Sequence, residues 1–181
     1  MEKSRLIALL TQRSVSRGDF VLASGRRSTW YIDCRRTTMH AEGLELVGAL
    51  GLAEIRRAGW MPDAVGGLTL GADPVAYAIA RASRETPPNV HAFTVRKQAK
   101  THGAGKRVEG CFESGARVVI VEDVITTGGS ALDAARAVQA EGGTVIGVLA
   151  VVDRDEGGRA AIEAEGLAVR SIVLAGELLG S

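Results

Sequence analysis

Short, unbroken apolar runs alternate along the chain with stretches where apolar residues return every three or four positions. Residues 118–121, Val-Val-Ile-Val, are β-branched without polar interruption, which predicts a central parallel strand buried on both faces. Residues 64–68, 90–95, 144–152 and 168–174 read as further core strands. Between these runs the period becomes helical. Leu6, Ile7, Leu9 and Leu10 define a helix over 2–13, and Leu44, Val47, Leu50 and Ile55 one over 40–58, closed by Gly59. Residues 74–82, 131–141 and 159–166 are expected as helices, and 176–179 as a terminal turn. Strands alternating with helices imply an α/β fold with a mostly parallel central sheet flanked by helices. Ahead of it, extended runs at 20–23 and 29–32 flank Ser24-Gly25, a hairpin signal. The expected organisation is one domain over 1–181, with a small hood mainly from 1–40 and a core from 41–181.

Composition narrows the picture. A chain of 181 residues, 46% hydrophobic, suits one domain with a substantial core. A formal net charge of +1 gives no general reason to expect nucleic-acid or membrane partners. The apolar runs are too short for a membrane span, and no cleavable leader is expected at the N-terminus. Cys34 and Cys111 lie far apart without metal-ligand spacing and are expected as reduced thiols. Together these features favour a soluble cytoplasmic protein.

The chemistry gathers at the end of the 118–121 strand. Glu122 and Asp123 are followed by Thr126-Thr127-Gly128-Gly129-Ser130 and then a helix. Open α/β sheets bind ligands beyond the carboxyl ends of their strands. A small-residue loop opening a helix offers free backbone N–H groups to a phosphate. Carboxylates beside a phosphate repel it unless they hold something else, and sugar hydroxyls or a hydrated Mg²⁺ are suitable. The composite fits a phosphorylated ribose; the plainer alternative is an ordinary turn with solvated charges. It is neither a Walker A loop nor a dinucleotide fingerprint.

Three other stretches carry candidate chemistry. Residues 67–74, Gly-Leu-Thr-Leu-Gly-Ala-Asp-Pro, form either a second anion loop or a plain βα turn. Residues 96–107 hold five Lys/Arg, one His and no acid, suiting either a lid over a polyphosphate or a solvated basic loop. Arg154, at the end of the 144–152 strand, could meet a planar carboxylate or be satisfied by Asp153 or Asp155. On the hairpin, Arg26, Arg27, Trp30 and Tyr31 could cover a ligand or serve packing.

The 118–131 stretch resembles the phosphoribosyl-pyrophosphate motif of type I phosphoribosyltransferases: hydrophobic residues, two acids, two hydrophobics, then a Thr/Gly-rich loop. Two further stretches resemble orotate phosphoribosyltransferases within that superfamily. One is Arg-Lys-x-x-Lys-x-His-Gly at 96–103, similar to their catalytic loop; the other is Arg154 in an Asp-Arg-x-Glu-Gly-like context. Phe20, Leu22, Ser24, Gly25 and Ser28 resemble their hood, with Trp30 at its Tyr position and Tyr31 beside it. Ala23 and Leu70-Gly71 depart from members that carry a Lys before Ser-Gly and an aromatic-Lys pair in the pyrophosphate loop.

The resemblance implies a type I phosphoribosyltransferase fold and transfer of the phosphoribosyl group of 5-phosphoribosyl 1-diphosphate to orotate. The products are orotidine 5′-phosphate and diphosphate, in de novo pyrimidine (UMP) biosynthesis. It assigns Lys100, His102 and Asp123 to catalysis. Donor binding falls to Arg96, Lys97, Lys100, His102, Glu122, Asp123, Val124, Ile125, Thr126, Thr127, Gly128, Gly129 and Ser130. Thr126 and Arg154 would bind orotate. Mg²⁺ is implied, held mainly by diphosphate and water rather than directly by side chains. A homodimer is implied too, with loop 96–107 reaching the neighbouring active site. The competing readings are a phosphoribosyltransferase for a purine or uracil, and a non-catalytic nucleotide-binding regulator of RNA.

Overall fold

A computed structural model of the chain describes residues 1–21, 25, 27–98 and 106–180. Lys100, His102, Leu22, Ala23, Ser24 and Arg26 lie outside the described residues. The chain opens with α1 (Glu2–Arg13), after which β1 (Val15–Val21) and β2 (Arg27–Ile32) pair antiparallel in a sheet of their own. A short α2 (Arg35–Thr38) and the long α3 (Ala41–Arg57) lead to β3 (Ala64–Leu68) and α4 (Ala72–Ser83). Then come β4 (His91–Val95), β5 (Val108–Gly110), β6 (Arg117–Ile125) and α5 (Gly129–Ala140). The chain ends with β7 (Thr144–Asp153), α6 (Gly158–Ala164), β8 (Val169–Leu174) and α7 (Ala175–Leu179).

The six-stranded sheet has the order β5-β4-β3-β6-β7-β8, with every neighbouring pair parallel except β4 with β5. From β3 the chain steps outward to β4 and β5, then returns to place β6 on the other side of β3. That reversal opens a crevice between the carboxyl ends of β3 and β6, where such sheets bind ligands. Side-chain alternation along β6 feeds two cores. Val119 and Val121 join Leu6, Leu46, Val47, Val75 and Ile79 from α1, α3 and α4. Val118 and Ile120 join Ala131, Ala134, Val138 and Ile162 from α5 and α6 on the opposite face. Helix α3 crosses α4 closely because Gly48 has no side chain; a Cβ there would stand 2.5 Å from the Ala78 carbonyl oxygen.

The expected α/β architecture and mostly parallel sheet hold, with local corrections. Strand β6 runs through Ile125 rather than ending at Val121, because Val124 and Ile125 still pair with Val152 and Asp153 of β7. Glu122 and Asp123 are therefore strand residues, held more rigidly than a loop would hold them. Helix α4 begins at Ala72, so Pro74 sits in its first turn, where its missing N–H costs nothing. The hairpin's first strand starts at Val15, the 176–179 turn is part of helix α7, and β5 and α2 are additional elements. Both cysteines are free thiols, Cys34 buried and Cys111 exposed. Among the described residues no helix is long and apolar enough to cross a membrane.

Candidate active site

A cavity of about 600 Å³ lies over the crevice. Its walls are the turn Thr69-Leu70-Gly71 after β3, the run from Glu122 to Ala131, the end of β2 with Asp33 and Arg35, Lys97, and Arg154 after β7. Glu122, Asp123, Val124, Ile125, Thr126, Thr127, Gly128, Gly129, Ser130, Lys97 and Arg154 thus line one cavity. Arg96 does not line the cavity and pairs instead with Glu109 at 3.5 Å.

The loop from Thr126 to Gly128 turns sharply into α5, with Gly128 in the left-handed region at φ 83°. No side chain caps this helix, so its first-turn amides keep their hydrogen-bonding capacity for an anion. The loop's shape is keyed to the start of α6. A Cβ on Gly128 would lie 2.8 Å from the Gly158 oxygen, and one on Gly158 would lie 2.5 Å from the Thr126 oxygen. Two glycines back to back therefore set the distance between the loop and α6.

The two acids differ in environment. Glu122 is 6% exposed; its Oε1 accepts the Asp123 N–H at 3.3 Å, and its buried Oε2 has no hydrogen-bond partner. Burial pushes this carboxyl well above the ordinary carboxylate range, and the neighbouring Asp123 charge pushes the same way. Half-buried Asp123 accepts the Val124 N–H on Oδ1 at 2.9 Å. Gly71 lies directly against it, since a Cβ there would stand 2.5 Å from Oδ1. Beneath them, burial raises the Cys34 thiol's affinity for its proton, with Asp123, Asp33 and Glu122 adding to the effect.

Among the described residues no group of three or more His, Cys, Asp or Glu could cage a metal. Two adjacent carboxylates, one with a buried unpartnered oxygen, still fit an ion that brings most of its own ligands. Mg²⁺ behaves this way, keeping waters and substrate phosphates in its shell.

At the other end of the cavity, Arg154 is 6% exposed and held from several sides. Its Nε donates to Glu156 Oε1 at 2.9 Å, its Nη2 lies 2.7 Å from the same carboxylate, and its Cζ sits 3.9 Å from the Trp30 ring centroid. Neither Asp153 nor Asp155 is its partner: Asp153 accepts Arg159 Nε at 2.9 Å and the Asp155 N–H at 3.0 Å. Tyr31 lines the cavity and packs against Phe20, ring centroids 5.7 Å apart.

Two features escape sequence reasoning. Asp33 and Arg35 form a forked pair, 2.8 and 3.2 Å, at the cavity wall. The Arg35 guanidinium holds the Asp33 carboxyl below the usual range. Their only sequence signal is an acid closing the second hairpin strand. Arg107, counted among the basic residues of 96–107, is already engaged, forking onto Asp133 at 2.9 and 2.7 Å. Its backbone oxygen accepts the Arg96 N–H at 2.9 Å, and its Nε donates to the Arg96 oxygen at 2.9 Å. The ends of the basic segment are therefore joined to each other and pinned to α5.

Residues 40–173 match the phosphoribosyl transferase domain, which gives the class that fold and crevice define. The orotate phosphoribosyltransferase of Rhodopirellula baltica is 46% identical over 171 residues, 92% of this chain and 89% of that protein. That of Aquifex aeolicus is 44% identical over 182 aligned positions, covering 99% of this chain and 98% of its own. The crystal structure of Mycobacterium tuberculosis orotate phosphoribosyltransferase with 5-phospho-α-D-ribosyl 1-diphosphate has a TM-score of 0.82 at 44% identity, covering 98% and 99%. The chain belongs to the orotate phosphoribosyltransferase family, enzymes of pyrimidine biosynthesis.

Proposed function

We propose that the chain transfers the phosphoribosyl group of 5-phosphoribosyl 1-diphosphate to orotate, giving orotidine 5′-phosphate and diphosphate. One observation carries this reading: uncapped helix amides, two strand-borne carboxylates and a buried arginine face a single cavity. The phosphorylated M. tuberculosis ligand adds support from a relative. The amides of Thr127, Gly128, Gly129 and Ser130 would hold the 5′-phosphate, with Val124, Ile125 and Thr126 shaping the floor. Glu122 and Asp123 would accept hydrogen bonds from the ribose hydroxyls. Asp123 would favour positive charge developing on the ribose, and so counts as catalytic in this reading. Thr126 and Arg154 would orient orotate.

In the reaction, orotate N1 bonds to C1′ while the bond from C1′ to the diphosphate oxygen breaks. Charge grows on the leaving oxygen, and cations act best where charge develops. Lys97, Lys100, His102 and Arg96 supply them, and Lys100 or His102 can donate a proton to the leaving group. Bound Mg²⁺ would neutralise part of the diphosphate charge, with Asp123 and Glu122 at the edge of its water shell. Loop 96–107 would serve the neighbouring site in a homodimer; Arg96 pairs with Glu109, while Lys97 lines its own subunit's cavity. The reading is completed by a single domain with residues 1–40 as its hood and 41–181 as its core, in the cytoplasm.

The test is a panel of orotate, uracil, adenine, guanine and xanthine, each with donor and Mg²⁺. Donor-dependent loss of orotate alone is expected. Consumption of another base in its place would overturn the assignment of substrate.

A further inference from the structure

Among the described residues lining the cavity, Arg154 has its guanidinium enclosed rather than presented to solvent, its side chain only 3% exposed. Five N–H donors in a planar fork need acceptors when buried, and their placement decides which edge remains for a ligand. Glu156 occupies the Nε and Nη2 edge, at 2.9 and 2.7 Å. Trp30 covers one face at 3.9 Å, and Ser28 Oγ touches Nη2 at 3.5 Å. Among the described residues these contacts leave Nη1 as the corner to meet a planar acceptor. Neither Glu156 nor Trp30 is among the described residues lining the cavity, yet both touch Arg154, which is. Glu156 follows β7 and Trp30 lies on β2, so the guanidinium bridges the hairpin sheet and the central sheet.

Resting on the orotate reading above, we infer that Glu156 and Trp30 are positioning residues for base specificity, acting through the Arg154 guanidinium. The carboxylate offsets the arginine's charge while its two contacts fix the fork's rotation. What faces the ligand is then a directed donor rather than a free cation, so Arg154 reads the base and does not compete for donor phosphates. Trp30 fixes the plane of the fork and ties the hairpin to the base end of the cavity.

The experiment measures KM for orotate and donor separately, by orotate absorbance, after wild-type turnover of orotate has been established. If wild type fails to turn over orotate, the substrate reading falls and takes this inference with it. Given turnover, Glu156→Ala should raise the orotate KM roughly tenfold and Trp30→Ala roughly fivefold, with the donor KM changed less than about twofold. Glu156→Asp and Trp30→Phe should recover part of each loss, because they retain the charge and the ring. In an Arg154→Lys background, which removes the fork, Glu156→Ala should add nothing further to the orotate KM. An unchanged orotate KM in the single variants would overturn the inference. So would both KM values rising together, or a full additional effect in the Arg154→Lys background.

Discussion

A single methyl group at Gly71 tests how tightly the site is built. Its Cβ would stand 2.5 Å from Asp123 Oδ1, closer than real contacts allow, so the carboxylate or the loop must move. Gly71→Ala should cut kcat/KM by roughly tenfold or more, since displacements of about an ångström at a reacting centre are that costly. Steady-state kinetics with the melting temperature recorded alongside would check it; unchanged kinetics would mean Asp123 tolerates displacement. Glu122 makes a different prediction, about pH. Its folded carboxyl holds its proton to higher pH than the unfolded one, so the neutral form's stabilising contribution is complete below the ordinary carboxyl range. That contribution is lost as pH rises through the raised folded value. Without ligand, Glu122→Gln should melt at least about 2 °C above wild type near pH 8, the gap closing toward about pH 4. At this scale Glu122, Asp123, Thr126 to Ser130 and Arg154 were legible, because residue type and strand-end position coincide. Arg154's true partner was not: Glu156, two residues on, reaches back, whereas Asp153 turns to Arg159.

Among elements, the base of the 96–107 segment makes the clearest claim. Glu141 Oε1, at the end of α5, accepts the N–H groups of both Arg107 (2.8 Å) and Val108 (3.0 Å). Arg107 forks onto Asp133 of the same helix, whose N-terminus opens from the proposed phosphate loop. Glu141→Ala should cost about 1–3 kcal/mol by leaving two amides without their acceptor, while Glu141→Gln, keeping an oxygen, should cost less. Chemical denaturation measures both, and equal, negligible losses would show the latch to be idle. Long periodic elements such as α3, and buried β-branched strands such as β3 and β6, were legible because burial writes itself into residue choice. Strand β5, three residues long and antiparallel at the sheet edge, carries too little pattern to be read. The last four residues of β6 were missed because two carboxylates there look like a loop until β7 supplies the pairing.

For the molecule as a whole, strand order decides where chemistry can sit, and no local pattern announces that β6 lies beside β3. The crevice between them was inferred from the residues at the strand ends rather than from topology. The proposed sharing of active sites has its own test. Mixing equal amounts of Lys100→Ala and Asp123→Asn proteins, each inactive alone, should restore up to about a quarter of wild-type activity if the loop of one subunit completes the site of the next. No restoration after subunit exchange would argue for self-contained sites.

The most direct measurement is loss of orotate absorbance with 5-phosphoribosyl 1-diphosphate and Mg²⁺, for wild type and Lys100→Ala. Donor-dependent orotate consumption is expected of wild type, falling by roughly a hundredfold or more in the variant, as when a charge-stabilising donor is removed. Wild-type protein that leaves orotate untouched would contradict the assignment, and full activity in Lys100→Ala would contradict the role given to the basic loop.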